Sequence, residues 1–326
     1  MRTLAVVIVI VIVLGIAPGC RCFEPLTQDS AVGALPEAST IAPVELHVAD
    51  LERMLALDSD VRAAREAQLA EALAAFRREP SEEAAIWVGR RLAYLGLFET
   101  AVAWYGARWA GLDRDSYRLL RHRGHRLITL RRPALAAADL RRARELADGL
   151  ADEVEPDGMP NELGIPTSTT QGNIDYHLAL ACYLQGDFAG AAEAFGRCVE
   201  VWATNDDSRV AAGHWRCVAL RRAGREAEFA AALAALPVAP ALIENFAYQD
   251  LVDLHAGRRT VDDLLAGARD PVQDATRAYG AARWLIDHPG ASEADVARGA
   301  ALLRELAARG PWESFGRIAA EADLAR

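Results

Sequence analysis

A short pattern of residue types occurs twice in the chain and constrains its fold more than any other feature. The first copy, LAYLGLFETAVAWY at residues 92–105, places glycine, aromatic, small and aromatic residues at Gly96, Phe98, Ala101 and Tyr105. The second, LACYLQGDFAGAAEAF at residues 180–195, places the same types at Gly186, Phe188, Ala191 and Phe195. Glycine lets the chain leave a helix in a left-handed conformation. The small residue lets two helices approach closely and the aromatics fill the space between them, so the pattern predicts antiparallel helix pairs.

The predicted turns recur at a nearly constant interval. Glycines separated by 38, 33 and 33 residues follow predicted helix ends at Gly186, Gly224, Gly257 and Gly290, and Arg131 follows Gly96 by 35 residues. Such a period is typical of helical-repeat proteins. From Ser59 onward apolar residues recur at three- and four-residue steps, and no alternating strand pattern occurs. An all-α protein is therefore predicted.

These residues resemble the tetratricopeptide repeat, whose helix pairs have a period of about 34 residues. Gly89 and Ala179 supply the small residue that this family places earlier in the first helix. The resemblance implies a right-handed helical-repeat solenoid of antiparallel helix pairs over residues 44–326, with a C-terminal capping helix at residues 312–324. It says little about biological role, because such scaffolds carry many functions.

One segment interrupts the repeat spacing. Arg131 and Gly186 are 55 residues apart, against about 34 for one repeat. The surplus corresponds to residues 149–172, which contain the acidic, proline- and glycine-rich run DEVEPDGMPNELGIPTSTTQGN. Neighbouring repeats must stack to bury their faces, so this run is predicted to be a loop inserted between two repeats and not a domain linker. Loops of this length are commonly functional or disordered.

The N-terminus, MRTLAVVIVIVIVLGIAPGC, has the features of an export signal. Arg2 precedes an apolar run that is too short to span a bilayer, and residues 1–19 are predicted to be a signal peptide. The ending IAPGC resembles the lipobox of bacterial lipoproteins, which implies lipid attachment at Cys20 and sorting to the outer membrane. Ordinary cleavage, giving a soluble periplasmic or secreted protein, is the alternative. Residues 20–43 are predicted to be a flexible tether.

Composition limits the chemistry that the chain can perform. A net charge of −10 argues against a nucleic-acid partner, and the absence of lysine removes lysine nucleophiles and phosphate-loop chemistry. No spacing of histidines, cysteines or carboxylates matches a metal site or a catalytic constellation, so neither a cofactor nor a catalytic residue is predicted. Cys182, Cys198 and Cys217 are predicted to be buried free thiols, with a disulfide among them as the alternative.

The resemblance also implies where a partner binds. In the tetratricopeptide-repeat family the first helix of each pair lines a concave peptide-binding surface. The corresponding positions here are Arg90, Tyr94, Arg121, His125, Asn173, Tyr176, Tyr183, His214 and Arg221. Arginine, asparagine and tyrosine suit capture of carboxylates and backbone groups, and packing between repeats is the alternative role. The acidic insertion is expected to fold back over this partly basic surface.

The sequence therefore predicts a non-enzymatic scaffold or adaptor of the bacterial cell envelope. It is expected to bind a protein or peptide segment and to reach the membrane only through its N-terminal lipid. Two alternatives remain at this point: an envelope hydrolase that uses the acidic residues of 152–172 beside the groove, and a passive structural lipoprotein.

Overall fold

The computed structural model describes residues 47–107, 115–266 and 270–326. These residues form α-helices, and the β-type contact recorded among them is an isolated antiparallel bridge between Val154 and Thr169. The predicted all-α class is therefore confirmed. The chain divides into two compact units, Met1–Arg114 and Asp115–Arg326. The predicted signal peptide, Cys20 and the tether lie outside the described residues.

The described part of the first unit contains four helices: α1 Val48–Leu55, α2 Ser59–Arg78, α3 Glu82–Tyr94 and α4 Phe98–Gly106. Asp58 and Ser81 cap α2 and α3, since each side chain accepts hydrogen bonds from backbone N–H groups of the first turn. Consecutive helices from α2 to α4 pack on one another, and α1 packs on α4.

Close approach of α3 and α4 depends on the small residue predicted at position 89. A Cβ atom on Gly89 would lie 2.3 Å from the ring of Tyr105, so only glycine fits. Trp104 of α4 is buried and donates its indole N–H to the carbonyl of Ala85 at 2.8 Å. The two helices therefore pack as the predicted pair.

The second unit contains eleven described helices. They are α5 Tyr117–Thr129, α6 Pro133–Ala147, α7 Thr170–Leu184, α8 Phe188–Val201, α9 Asp206–Arg222, α10 Glu226–Ala234, α11 Phe246–His255, α12 Val261–Leu265, α13 Pro271–Asp287, α14 Glu293–Arg309 and α15 Phe315–Leu324. Consecutive helices from α5 to α11 pack mostly in pairs, and first helices also contact first helices, as α5 with α7 and α9 with α11. This is the arrangement of a helical repeat.

The predicted turns adopt the backbone conformation that ends a helix. Positive φ angles occur after α3, α5, α7, α9 and α11, at Gly96, Arg131, Gly186, Gly224 and Gly257. Arg131, with φ 60°, is the one non-glycine residue with positive φ in the described part of the chain. Gly290, in the turn between α13 and α14, does not share this conformation.

The predicted insertion, residues 149–172, corresponds to the loop between α6 and α7, although residues 170–172 begin α7. The loop spans residues 148–169, between the end of α6 and the start of α7. Val154, near its start, and Thr169, at its end, form the antiparallel bridge. The Glu155 N–H donates to the Ser168 carbonyl at 3.1 Å, and the Thr170 N–H donates to the Glu153 carbonyl at 2.9 Å. The insertion is therefore closed at its base by backbone hydrogen bonds.

Replacing Gly280 with alanine tests the close packing of α11 on α13. The added Cβ would lie 2.3 Å from the Leu251 side chain, and such overpacking costs about 1–3 kcal/mol of unfolding free energy. Gly196→Ala in α8 is the matched control, because its Cβ meets the flexible Arg216 side chain at 3.2 Å and alanine favours a helix. Urea denaturation should show a loss for Gly280→Ala alone; equal stabilities would contradict the packing.

Candidate functional site

The last helix, α15, occupies a position that the sequence did not predict. It packs on α13 and α14, as a capping helix would, and it also contacts α5 and α7 at the opposite end of the second unit. The helices α5, α7 and α9 are first helices of their pairs. We call the surface of α5, α7, α9 and α13 that contacts α15 the inner face.

At its C-terminal end α15 is held through the carboxylate of Asp323, whose side chain is 3% exposed. Arg222 of α9 donates to Asp323 Oδ1 at 2.6 Å, and the Tyr279 hydroxyl donates to Oδ2 at 2.8 Å. Arg283 of α13 lies 3.5 Å from Oδ2. This group of four residues is called the carboxylate clamp, in which the half-buried Arg222 and the buried Arg283 help to neutralise the negative charge of Asp323, which Arg326 also pairs.

Tyr183 of α7 extends the carboxylate clamp. Its hydroxyl lies 2.6 Å from that of Tyr279 and accepts a hydrogen bond from Arg222 at 2.9 Å. Burial raises the pKa of both tyrosines above the usual value. The two phenols therefore remain protonated and able to donate at neutral pH.

At its N-terminal end α15 is anchored by an aromatic side chain. The Phe315 ring centroid lies 5.5 Å from that of His125, 5.8 Å from that of His177 and 6.4 Å from that of Tyr176. Offset and edge-to-face ring contacts at these separations are favourable. An aromatic residue thus fixes one end of the helix and a carboxylate fixes the other.

Between these ends, Glu321 faces Arg131 at the end of α5. Arg131 Nε donates to Glu321 Oε2 at 2.7 Å, and Arg317 donates to Oε1 at the same distance. Burial favours the protonated acid, but these bonds outweigh it and hold the pKa of Glu321 below its usual value. Arg131 also stacks over Trp312, with 3.7 Å from Cζ to the ring centroid.

The predicted groove residues divide between the two units. Arg90 and Tyr94 lie on α3 of the first unit, where both are half-buried and Arg90 Nε donates to the Tyr94 hydroxyl at 3.2 Å. Arg90 also stacks over Trp87 at 4.8 Å. In the second unit the structure brings His125, Tyr176 and Tyr183 together on the inner face, against α15.

Two further predicted residues lie under the insertion. Arg121 of α5 is buried and forms an ion pair with Glu155 at 2.8 Å. Asn173 is buried and donates to the Ser168 hydroxyl at 2.9 Å. Glu153 accepts hydrogen bonds from Arg118 and Tyr117. The hydrogen bond from Arg118 lowers the pKa of Glu153, so this carboxylate is ionised at neutral pH.

The last two predicted residues pack between α9 and its neighbours. His214 is 1% exposed, with its ring stacked on that of His255 at 5.4 Å. Arg221 lies 3.7 Å over the Phe229 ring and pairs with Glu226 at 3.2 Å. His214 contacts α11 and Arg221 contacts α10, so packing between neighbouring helices explains the positions of both residues.

Sequence reasoning missed the residues that make the carboxylate clamp. Arg222, Arg283 and Asp323 lie in ordinary helical patterns of alternating charge, and no local signal separates them from solvent-exposed residues. The missing information was the position of α15, which depends on contacts between residues far apart in the chain.

The described residues hold no group of three or more histidines, cysteines or carboxylates placed to bind a metal ion. Cys182, Cys198 and Cys217 are buried and unbridged, as expected. Within residues 47–107, 115–266 and 270–326, no helix has the length and hydropathy needed to cross a membrane. The inner face therefore contacts the chain's own helix α15 through the Phe315 ring and the carboxylates of Glu321 and Asp323.

Comparison with known proteins gave no relative. The chain matches no protein-family model, no curated protein and no solved structure. The fold and the inner face therefore define the class, an all-α protein with a helical-repeat arrangement.

Stability should depend on pH through four enclosed histidines. Burial lowers the pKa of His125, His177, His214 and His255, that of His214 to about 3. In the unfolded chain they titrate near pH 6.5, so below that pH the unfolded chain binds more protons. The contribution of these neutral histidines to the free energy of unfolding is therefore fully present above about pH 6.5. It is lost as the pH falls toward the folded pKa, by up to about 1.4 kcal/mol per pH unit for each histidine.

The measurement is urea unfolding at a series of pH values between about 7 and 5, where most carboxylates remain ionised. His214→Leu should lower the slope of stability against pH by about one proton. An unchanged slope in this variant would contradict the neutral, buried state of His214.

Proposed function

We propose that this protein is a non-enzymatic interaction scaffold of the bacterial cell envelope, built from tetratricopeptide-type repeats. It is exported, anchored by lipid at Cys20 to the outer membrane, and binds a helical segment of another protein on its inner face. The observation that carries the proposal is the binding of α15 through an aromatic anchor and the carboxylate clamp. A surface that holds one such helix within the chain has the chemistry to hold another.

The same observation implies competition. A partner helix must displace α15. Its apparent affinity therefore equals its intrinsic affinity multiplied by the fraction of chains in which α15 is released. The inner face has an excess of arginine and tyrosine, which favours a partner with acidic and aromatic residues.

A second candidate is favoured by the filled inner face itself. If α15 never leaves, the second unit is a closed helical body, and the protein is a passive structural lipoprotein. The two candidates differ in whether release of α15 exposes a site that a partner recognises.

The test uses the full chain in the cell of origin, as wild type and as Asp323→Ala, with affinity purification of bound proteins. Asp262→Ala is the matched control, because it removes an exposed ion pair with Arg298. We expect one protein to be enriched with Asp323→Ala and to be released by a synthetic peptide of residues 311–326. The same set of proteins with all three chains would support the passive structural role.

A further inference from the structure

Large apolar side chains are exposed along the insertion, residues 148–169. The exposed fractions lie between 49% and 66% for Leu150, Val154, Met159, Leu163 and Ile165. Single exposed apolar residues are ordinary, but five in one 22-residue loop is a high density for a surface segment, and concentrations of exposed apolar side chains commonly mark interaction sites. The inner face and α15 do not use these side chains.

The tip of the insertion, residues 159–165, is braced by Asn161. Its Oδ1 accepts from the backbone N–H groups of Leu163 and Ile165, each at 3.2 Å. Its Nδ2 donates to the Ile165 carbonyl at 2.7 Å and to Glu244 at 3.3 Å. One side chain therefore fixes the turn and ties it to the segment before α11.

The segment that leaves the tip is fixed as well. Thr167 donates its hydroxyl to Glu244, and its carbonyl accepts from Asn205 Nδ2 at 2.9 Å and from the Ser208 hydroxyl. A turn that is already ordered loses little conformational entropy when it binds. The apolar side chains of the tip are thus presented in one arrangement.

Charge indicates the kind of surface that covers the tip. Residues 148–169 contain no arginine, lysine or histidine, and Asp152 and Glu162 are exposed beside the apolar side chains. A bilayer would have to bury these carboxylates, which is costly, and the loop lacks the basic and aromatic residues of interfacial segments. A protein with an apolar pocket and a basic rim satisfies both the apolar and the acidic groups.

We propose that the tip, residues 159–165, is a docking element for a second protein whose apolar pocket is bordered by arginine or lysine. Met159, Leu163 and Ile165 enter the pocket, and Glu162 pairs with its rim. This inference rests on the proposed scaffold function and adds a surface separate from the inner face.

The experiment places the photoreactive residue benzoylphenylalanine at position 163 of the full chain in its native envelope. Position 238 is the matched control, since Val238 is 71% exposed outside the insertion. We expect one discrete protein adduct from position 163 and none from position 238. Glu162→Arg should reduce that adduct at least about tenfold, because a like charge at the rim costs about 1.4 kcal/mol or more.

Three outcomes overturn the docking proposal: equal adducts from both positions, an adduct with the mass of a second copy of this chain, or transfer of the label to lipid. Binding of the purified chain to vesicles of phosphatidylethanolamine and phosphatidylglycerol, lost on Leu163→Ser, would also overturn it. If the adduct is absent while Asp323→Ala still enriches a partner, only the docking element fails. Failure of both experiments removes the scaffold function.

Discussion

Replacing Asp323 with alanine is expected to destabilise the second unit by about 3–5 kcal/mol, the usual cost of removing one partner from a buried ion pair. The change leaves Arg222, whose side chain is 11% exposed, without its carboxylate partner, while Arg283 keeps its ion pair with Asp287. Chemical denaturation measures the loss, and hydrogen exchange should show faster exchange in α15.

The control for this prediction is Asp262→Ala. Asp262 pairs with Arg298, but its side chain is 81% exposed, and such surface ion pairs contribute about 0–1 kcal/mol. Equal losses for the two variants would contradict the burial of Asp323 in the carboxylate clamp.

Replacing Glu155 with alanine is expected to have the second-largest effect, a loss of about 3 kcal/mol. Glu155 and Arg121 are each 8% exposed, so the substitution removes the buried carboxylate that faces Arg121. Because this ion pair joins the insertion to α5, residues 148–169 should also become sensitive to limited proteolysis.

Glu153→Ala provides the comparison within the same loop. Glu153 and its partner Arg118 are 36% and 30% exposed, so solvent screens their interaction and the expected loss is about 1 kcal/mol or less. If Glu153→Ala releases the insertion as readily as Glu155→Ala, the buried pair does not anchor it.

The helix pairs were predictable because their signals are local. Gly186, Gly224 and Gly257 follow helix ends at intervals set by the length of a helix pair, and each of them, like Gly96, adopts the left-handed conformation that ends a helix. The position of the insertion followed from the same spacing. Arg131 occupies the same turn position without being a glycine. Its side chain contacts Glu321 and Trp312.

The occupant of the inner face was not predictable. Spacing placed His125, Tyr176 and Tyr183 on first helices, but whether they face solvent, a partner or α15 depends on how the chain returns across the second unit. Asp323 illustrates the limit, since it lies in the run EADLAR like any acid on an exposed helix face. Its burial arises only when α9 and α13 bring two arginines to it.

The sequence pattern also did not show which acidic residues of the insertion form ion pairs and which are exposed. Its acidic composition was evident, yet Glu153 and Glu155 bind arginines of α5 while Asp152 and Glu162 remain exposed. Composition alone treats these four residues alike. Only the fold separates the carboxylates that anchor the loop from those that border its apolar tip.

Fluorescence anisotropy with a labelled peptide of residues 311–326 tests most directly whether the inner face is a helix-binding site. The full chain carrying Asp323→Ala should bind this peptide at least about tenfold more tightly than the wild type, because its own α15 competes less. The same peptide with Asp323 replaced by alanine should not bind. If hydrogen exchange shows α15 released in the variant and the unmodified peptide still fails to bind, the inner face is not a helix-binding site.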